Sequence, residues 1–574
     1  MLGALEERRR GDSLVVIGVH SAKFAAEGDP ARIADAMARY GVRHPVVVDE
    51  DHAIWRSFAV RSWPTLVVVR PDGTIAAVAP GEADPGPLDA AVGKVLEEAR
   101  ADGTLAREPF RTDALPPAAP GALAFPGKVI ALPDGRLALS DSGHHRVLVV
   151  DRDGRVEAAV GTGDAGLADG PSSEARFAHP QGLAFDPEAG LLFVADTGNH
   201  ALREVSLDRD RVRTIAGTGD LGRGVPQGAV PAREIALRSP WDLVVAGEWL
   251  LVAMAGTHQV WAYSRLEETI GVLAGSGRES IEDGPFPGAT FAQPSGLALA
   301  GSRLYLADSE TSAVRYLDLT KGEVRTLVGT GLFDFGDRDG PAAAALLQHP
   351  MGIAHGPAGL LVADTYNNKV KAVDEETGEV RTWFAAEGGV GLREPAGLCQ
   401  LPDGRVVVAD TNHHRLVEVS AGGRSARVIA VEDAPRRAVA ATDDRAGGLV
   451  RLPAATVGPG EVTLRLRLEP PAGFDLAEGS RVSVRLSAAA PVAVPEEDQG
   501  FAVAGSRRGV PVRMRVGPDP GATDLDIRVE AVICGHGEGA ACWPVAGTYR
   551  LPVRVEPRPE AAASIDAALR LPRP

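Results

Sequence analysis

One pattern of hydrophobic and polar positions recurs six times between about residues 120 and 432. Each copy is a short apolar strand that ends in Asp or a replacement, then a polar turn and a second strand. The period is 46 to 58 residues, because the aligned positions are Asp141, Asp196, Met254, Asp308, Asp364 and Asp410. Each full copy contains four candidate strands. Units of this kind close into a ring of small sheets, so the sequence predicts an all-β propeller with six blades.

The segments on either side of the repeats have different patterns. Before them, helix-like and strand-like stretches alternate and predict a small α/β domain; the predicted helices cover 2–10, 30–40, 51–59 and 88–100, and the predicted strands 14–20, 46–48, 65–70 and 74–79. After them, strict alternation of apolar and charged residues predicts an antiparallel β-sandwich with a loose tail over the last dozen residues. We therefore expect a multidomain chain with domains at 1–105, 106–432 and 433–574.

Composition narrows the classes of function. The formal net charge of -17 argues against nucleic acid as a partner, since phosphate binding depends on Lys and Arg. No run of about 20 apolar residues predicts a membrane span, and the charged start MLGALEERRRGD lacks the apolar stretch of a signal peptide. Three cysteines in so long a chain are typical of a reducing compartment, so we expect a cytoplasmic protein. The sequence does not indicate the oligomeric state.

The propeller topology also predicts a binding face. Strands alternate in direction, so the turns after the aligned Asp positions share a face with the long connections between blades. Long insertions on one face usually mark the binding face, and we expect a protein or peptide partner there. The recurring Asp-Gly-Pro at 169–171, 283–285 and 339–341 is interpreted as loop architecture.

The repeat's own polar residues are interpreted as structural. The aligned Asp is expected to accept hydrogen bonds from its own turn. The turn histidines belong to the repeat and have no paired acidic residue at ligand spacing, so we expect no metal and no other cofactor; they are His144, His145, His200, His258, His413 and His414. No catalytic residue is predicted in the propeller.

Two stretches resemble known families. The segments HPQGLAFDPEAG, ADTGNHALREV and IAGTGD closely resemble the NHL repeat, from which the copies around Met254 and Glu310 depart most. The segments VVIGVHSAKF, HPVVVDED and IWRSFAVRSWPTLVVVRPDGT are similar to a redoxin-type thioredoxin-like domain. Their order resembles NHL-repeat-containing proteins with an N-terminal thioredoxin-like domain. The resemblance implies that Trp63, Pro64 and Thr65 carry the cis-proline that faces the redox site.

One departure from that family bears on function. Such domains carry a Cys-x-x-Cys at the head of their first helix, whereas no cysteine precedes Cys399 here. Without a reactive thiolate the domain is expected to be redox-inactive as the chain stands. Two explanations remain open, loss of the redox chemistry or an N-terminally truncated sequence, and the half-helix at the start favours truncation.

The three cysteines fall in two settings. Cys534 and Cys542 stand eight residues apart across a predicted hairpin, where they could form a disulfide, remain reduced or exchange electrons. Cys399 occupies a strand position that is apolar in the other repeats, so it is expected to be a core thiol.

The leading functional hypothesis is a protein- or peptide-binding scaffold that is not itself an enzyme. One alternative is a thiol–disulfide oxidoreductase whose Cys-x-x-Cys lies upstream of residue 1. The other is a metal-dependent propeller hydrolase or lyase.

Overall fold

The structure is a computed structural model. It describes residues 2–9, 11–81, 85–106, 121–386, 389–431, 450–452, 455–470, 474–476, 481–488, 492–493, 499–502, 509–517, 521–535, 542–555 and 564–570. Two compact units divide the chain, residues 1–437 and 438–574. Among the described residues no helix is both long and apolar enough to cross a membrane. The three domain boundaries proposed from the sequence stay predictions.

The first unit begins with an α/β region. Its elements, in chain order, are α1 (Leu2–Arg8), β1 (Gly18–His20), α2 (Pro30–Arg39), β2 (Val46–Val48), α3 (Ala53–Ser57), β3 (Thr65–Val69), β4 (Ile75–Pro80) and α4 (Pro85–Ala101). Strand β1 pairs in parallel with β2, and β3 pairs antiparallel with β4. Helix α2 begins at Pro30 because the Asp29 side chain accepts the Ala31 amide hydrogen and proline fits the first helical turn.

Six antiparallel sheets follow, which we call blades 1 to 6 in chain order. Blades 1 to 3 contain β5 (Pro126–Ala131), β6 (Leu137–Asp141), β7 (Arg146–Val150), β8 (Val156–Val160); β9 (Leu183–Asp186), β10 (Leu191–Asp196), β11 (Ala201–Ser206), β12 (Arg211–Ala216); β13 (Val230–Pro231), β14 (Pro240–Ala246), β15 (Trp249–Met254), β16 (Gln259–Ser264) and β17 (Thr269–Ala274). Blades 4 to 6 contain β18 (Gly284–Pro285), β19 (Pro294–Ala300), β20 (Arg303–Asp308), β21 (Ala313–Asp318), β22 (Glu323–Val328); β23 (Gly352–Gly356), β24 (Gly359–Asp364), β25 (Lys369–Val373), β26 (Val380–Phe384); β27 (Gly397–Gln400), β28 (Val406–Asp410), β29 (Arg415–Val419) and β30 (Ala426–Ile429).

The six sheets close into a ring of the propeller type. Their innermost strands, β5, β9, β14, β19, β23 and β27, are neighbours in that order, and β27 lies beside β5. Apolar residues of one sheet pack against those of the next, as Val147 and Val149 do against Leu192 and Val194. Blades 3 and 4 differ from the predicted four strands, because the two-residue strands β13 and β18 in their long connections add a fifth.

The second unit contains two sheets around one apolar core. Its strands are β31 (Val450–Arg451), β32 (Ala455–Val457), β33 (Gly460–Glu469), β34 (Phe474–Leu476), β35 (Arg481–Ala488), β36 (Val492–Ala493), β37 (Gln499–Ala502), β38 (Gly509–Val516), β39 (Gly521–Gly535), β40 (Cys542–Val555) and β41 (Ser564–Arg570). Seven of them form one sheet, while β33, β36, β38 and β41 form the other. Alternate residues such as Leu464 and Ile527 fill the space between.

Two expectations for this unit are corrected. The strands are not all antiparallel, because β31 and β32 pair in parallel with β40, and β41 pairs in parallel with β33. The predicted loose tail is wrong for β41, whose Ile565 and Leu569 are buried in the core.

Candidate functional site

The aligned aspartates bind their own blades together. Asp196 is fully buried; its Oδ1 accepts the Ala178 amide hydrogen at 2.7 Å, and its Oδ2 accepts hydrogen bonds from Asn199 and Arg203 at 2.8 Å. Burial raises the pKa of Asp196 to about 6, although the Arg203 guanidinium opposes that rise. Asp141, Asp308, Asp364 and Asp410 accept equivalent backbone hydrogen bonds. These carboxylates are therefore structural, as the sequence predicted, but the expected backbone donor is wrong: the amide belongs to the connection before the blade and not to the aspartate's own turn.

Blade 3 replaces this charged contact with an apolar one. Met254 is fully buried at the aligned Asp position, and Trp261 stands where blade 2 has Arg203. Trp261 Nε1 donates to Gln259 Oε1 at 3.1 Å, so the indole N–H is satisfied. The acid and its cation have been exchanged together, which avoids an unpaired buried charge.

The turn histidines join neighbouring blades. His145, His200, His258 and His414 have positive φ, and Nδ1 of each accepts a backbone amide hydrogen from the next connection at 3.0–3.2 Å. Ser312 and Asn368 do the same with side-chain oxygens. The bond from Phe125 N to His414 closes the ring between blades 6 and 1.

The expectation that these histidines lack an acidic partner is wrong for two of them. His144 Nδ1 lies 2.8 Å from Asp141 Oδ2, and His413 Nδ1 lies 2.8 Å from Asp410 Oδ2. The sequence signal was available, since each acid stands three residues before its histidine. Within the described residues no group of three or more His, Cys, Asp or Glu side chains is placed to hold a metal ion.

The Asp-Gly-Pro connections fasten to the outer strands. Asp169 Oδ1 accepts hydrogen bonds from Arg203 at 3.0 Å and from the Thr214 hydroxyl at 2.8 Å. Asp283 and Asp339 repeat this arrangement in blades 4 and 5. The interpretation as loop architecture therefore agrees with the geometry.

The α/β region contacts the face that carries the turns and the connections, which we call the turn face. Arg39 donates to Glu394 Oε2 at 2.8 Å and also to Asn412 Oδ1. Arg32 lies 3.7 Å from the same Glu394 carboxylate. Lys23 pairs with Glu310 at 2.5 Å in the turn of blade 4. Basic groups of the α/β region thus meet acidic groups of blades 4 to 6, and one pair has the reverse polarity, Asp35 of α2 with Arg393 at 2.6 Å.

An aromatic side chain anchors this contact. Phe24 is 2% exposed, and its ring centroid lies 4.7 Å from that of Phe335, 5.3 Å from His349 and 5.4 Å from Tyr366. Burial lowers the pKa of His349, so its ring, stacked on Tyr366, is held neutral. Tyr366 belongs to the blade 5 turn, which departs from the repeat's Thr-Gly-Asn-His. The contact therefore uses residues that vary between blades.

The predicted redox-face residues lie in the α/β region. The Trp63–Pro64 peptide bond is cis. Trp63 is 48% exposed, packs 4.4 Å from Trp55 and donates its Nε1 hydrogen to the Ser21 carbonyl at 2.8 Å. Thr65 Oγ1 donates to the Ser62 carbonyl. Their role in redox chemistry stays a prediction.

The cysteines are placed as follows. Cys534 and Cys542 are register partners on β39 and β40, but their side chains lie outside the described atoms, so the disulfide stays a prediction. Cys399 is buried in the core between blades 6 and 1, and burial raises its pKa to about 12. Such a thiol is unreactive at neutral pH.

Sequence reasoning missed one pair on the propeller axis. Lys128 on β5 and Asp242 on β14 are both buried, with Nζ 3.3 Å from Asp242 Oδ2. Both occupy the inner-strand position that is glycine in the other four blades, namely Gly182, Gly296, Gly352 and Gly397. That substitution in two of six copies was the signal that could have revealed the pair.

Six sheets with these turns and interblade bonds define an NHL-type β-propeller protein. The NHL repeat family matches residues 177–204 and 392–418. Human NHL repeat-containing protein 2 is 35% identical over 528 residues, which cover 82% of this chain and 72% of the relative. The chain belongs to the family of NHL repeat-containing protein 2, and the resemblance to NHL-repeat proteins is confirmed.

Two further similarities were found. Protein SUPPRESSOR OF QUENCHING 1, chloroplastic, from Arabidopsis thaliana is 39% identical over 448 residues, covering 73% of this chain but 42% of the plant protein. A streptogramin B lyase structure aligns with 54% of this chain and 84% of its own, at 11% identity and a TM-score of 0.35. A similarity that weak carries no argument about activity.

Proposed function

We propose that the propeller is a protein-binding scaffold whose turn face holds the α/β region of its own chain and takes a further protein or peptide beside it. The observation that carries this proposal is the contact around Phe24 and Glu394, where an aromatic anchor meets the turn of blade 5 and two arginines meet the connection between blades 5 and 6. A buried aromatic anchor beside polar pairs is the usual composition of a specific protein interface.

The place for a further partner is on the connections after blades 1 and 2. The contacts described for the α/β region involve blades 4 to 6 and the Phe125 ring that begins blade 1. The two connections carry exposed aliphatic side chains at Leu167, Leu221 and Val225. Leu167 lies beside Gly219 of the neighbouring connection, so the two loops are adjacent.

We also propose a thioredoxin-like fold for the α/β region and a β-sandwich for the second unit. The parallel pair β1–β2 and the antiparallel pair β3–β4, with α2 and α3 between successive strands, support a thioredoxin-like α/β region. Two sheets that enclose one core support a β-sandwich in the second unit. Thiol–disulfide exchange by a Cys-x-x-Cys upstream of residue 1 remains the alternative; Cys399 would take no part in it, because burial raises its pKa to about 12.

Hydrogen exchange tests the contact within the chain. Glu394→Arg places a third cation against Arg32 and Arg39, so amides of α2 are expected to exchange faster while those of β10 remain protected. Adding Arg39→Glu restores an opposite charge and should recover part of the protection. Glu379→Arg is the matched control, because Glu379 is exposed and directly precedes β26 in blade 5. Unchanged exchange of α2 in Glu394→Arg would refute the contact.

Selection from a peptide library tests the proposed partner site on the connections after blades 1 and 2. Peptides selected on the purified full chain should lose binding with Leu221→Asp and keep it with Leu266→Asp, whose side chain is 79% exposed in the turn between β16 and β17. Selected peptides that bind both variants equally, or none that bind at all, would contradict a partner site on the turn face.

A further inference from the structure

The ammonium group of Lys128 is surrounded by oxygen atoms contributed by three other blades. Lys128 is 5% exposed, and its side chain extends from β5 across the propeller axis. Its Nζ donates to the Ser295 carbonyl at 3.0 Å and to the Met351 carbonyl at 2.6 Å, and lies 3.3 Å from Asp242 Oδ2. A lysine ammonium has three N–H donors, so each has one acceptor.

These oxygens are held in place without help from Lys128. Asp242 Oδ1 accepts the Leu243 amide hydrogen at 2.9 Å, and Oδ2 accepts that of Leu297 at 3.0 Å. The two carbonyls belong to the backbone at the start of the inner strands in blades 4 and 5. The cage is therefore part of the ring, whereas the cation is a side chain that reaches into it.

The lysine stem passes a close approach of two backbones. A Cβ atom at Gly397 would lie 2.6 Å from the Gly127 carbonyl oxygen, 2.7 Å from Lys128 Cα and 3.0 Å from its Cδ. Glycine in blade 6 therefore lets the inner strands of blades 6 and 1 approach, and the first part of the lysine side chain lies against it. Burial lowers the pKa of Lys128 and raises that of Asp242. The ion pair and the hydrogen bonds to the carbonyls must therefore offset the cost of removing both charges from water.

We propose that Asp242, Ser295 and Met351 form an axial binding site for a primary ammonium group, which this chain fills with its own Lys128. Three acceptors at 2.6–3.3 Å from Nζ match the three N–H donors of one primary ammonium group.

Chemical rescue tests this site in the full chain. Lys128→Gly installs the residue that four blades already have and leaves a cavity the shape of a butyl chain. The variant should unfold at lower temperature than the wild type, and n-butylammonium chloride should raise its midpoint saturably. Tetramethylammonium chloride, which has no N–H donor, and 1-butanol, which has no charge, are matched controls. The response of the wild type to each additive is the baseline from which the effect on the variant is measured.

The double variant Lys128→Gly/Asp242→Gly has glycine at this position in all six blades and neither charge of the axial pair, so it should lose the preference for n-butylammonium. Equal effects of the three additives on Lys128→Gly would overturn the proposal. If that variant does not accumulate folded, its refolding yield from denaturant is measured with the same additives, and failure of n-butylammonium to increase the yield overturns the proposal equally.

A measurement on the wild type is independent of these variants. Reductive methylation of the native chain should modify the exposed Lys94 and Lys321 and spare Lys128 until the protein is unfolded. Methylation of native Lys128 at the rate of Lys94 would show that the cage is open to solvent, which contradicts the site.

Discussion

Truncation of Phe24 should release the α/β region from the propeller without unfolding the blades. Phe24→Ala removes the ring contacts with Phe335, His349 and Tyr366 and leaves a cavity between the two parts. Such a substitution costs about 3–5 kcal/mol when the site cannot collapse. Each factor of ten in an equilibrium is about 1.4 kcal/mol, so the population of the released state should rise at least about 100-fold.

Hydrogen exchange measured by mass spectrometry reads this effect directly. The amides of α2 should exchange faster by that factor, whereas those of β10 and β15 should not change, because the ring bonds between blades remain. Phe333→Ala is the matched control, since Phe333 lies beside Lys23 but is 71% exposed. Protection of α2 that is unchanged in Phe24→Ala, or lost equally in every blade, would refute the anchoring role.

Three further predictions concern the blades. Met254→Asp should lower the free energy of unfolding in urea by about 3 kcal/mol or more, because the buried carboxylate has no cation beside it. Adding Trp261→Arg supplies that cation and should recover part of the loss. An unchanged urea midpoint in Met254→Asp would contradict the conclusion that the acid and its cation were replaced together. Burial lowers the pKa of His179 from 6.5 to about 4, so His179 is protonated in the unfolded chain at a higher pH than in the folded one. Stability should therefore fall by up to about 3 kcal/mol as the pH drops from 6.5 to 4. The thermal midpoint should fall less steeply with pH in His179→Asn, and parallel pH profiles of the two proteins would count against His179 as the cause. Cys399, with its pKa raised to about 12, should resist iodoacetamide until the chain unfolds, as peptide mapping would show; alkylation in the native protein would be inconsistent with its burial.

The sequence alone predicts the structural role of the residues that recur from blade to blade. Because Asp196 and its counterparts recur with the same turn, their structural role follows from the period alone. The position of His200 within the turn was also informative, although its acceptor role toward Ser239 of the next connection needs coordinates. Local periodicity describes each blade but contains no information about which atoms of adjacent blades meet.

Two features were hidden for the same physical reason. Lys128 reads as a solvent-facing residue at the start of a strand, and its acceptors lie more than one hundred residues away in sequence. No local pattern singles out the arginines of α2 either, although Arg39 pairs with Glu394 across the chain. Contacts between distant segments are set by the closure of the ring and the packing of α2 on it, neither of which leaves a local pattern.

The interblade bonds have a consequence for how the ring is assembled. Each blade is built from one continuous stretch of chain. The junction of blade 6 with blade 1 uses the bonds found at other junctions: Phe125 N donates to His414, and the Thr411 hydroxyl donates to the Pro126 carbonyl as the Thr197 hydroxyl does to that of Pro240. The hydroxyl bond is missing between blades 3 and 4, where Ala255 stands at the aligned position. The ring therefore has no distinctive seam. A circularly permuted gene that opens the chain at another junction would preserve every class of contact, so blade order, rather than the point of entry, specifies this propeller.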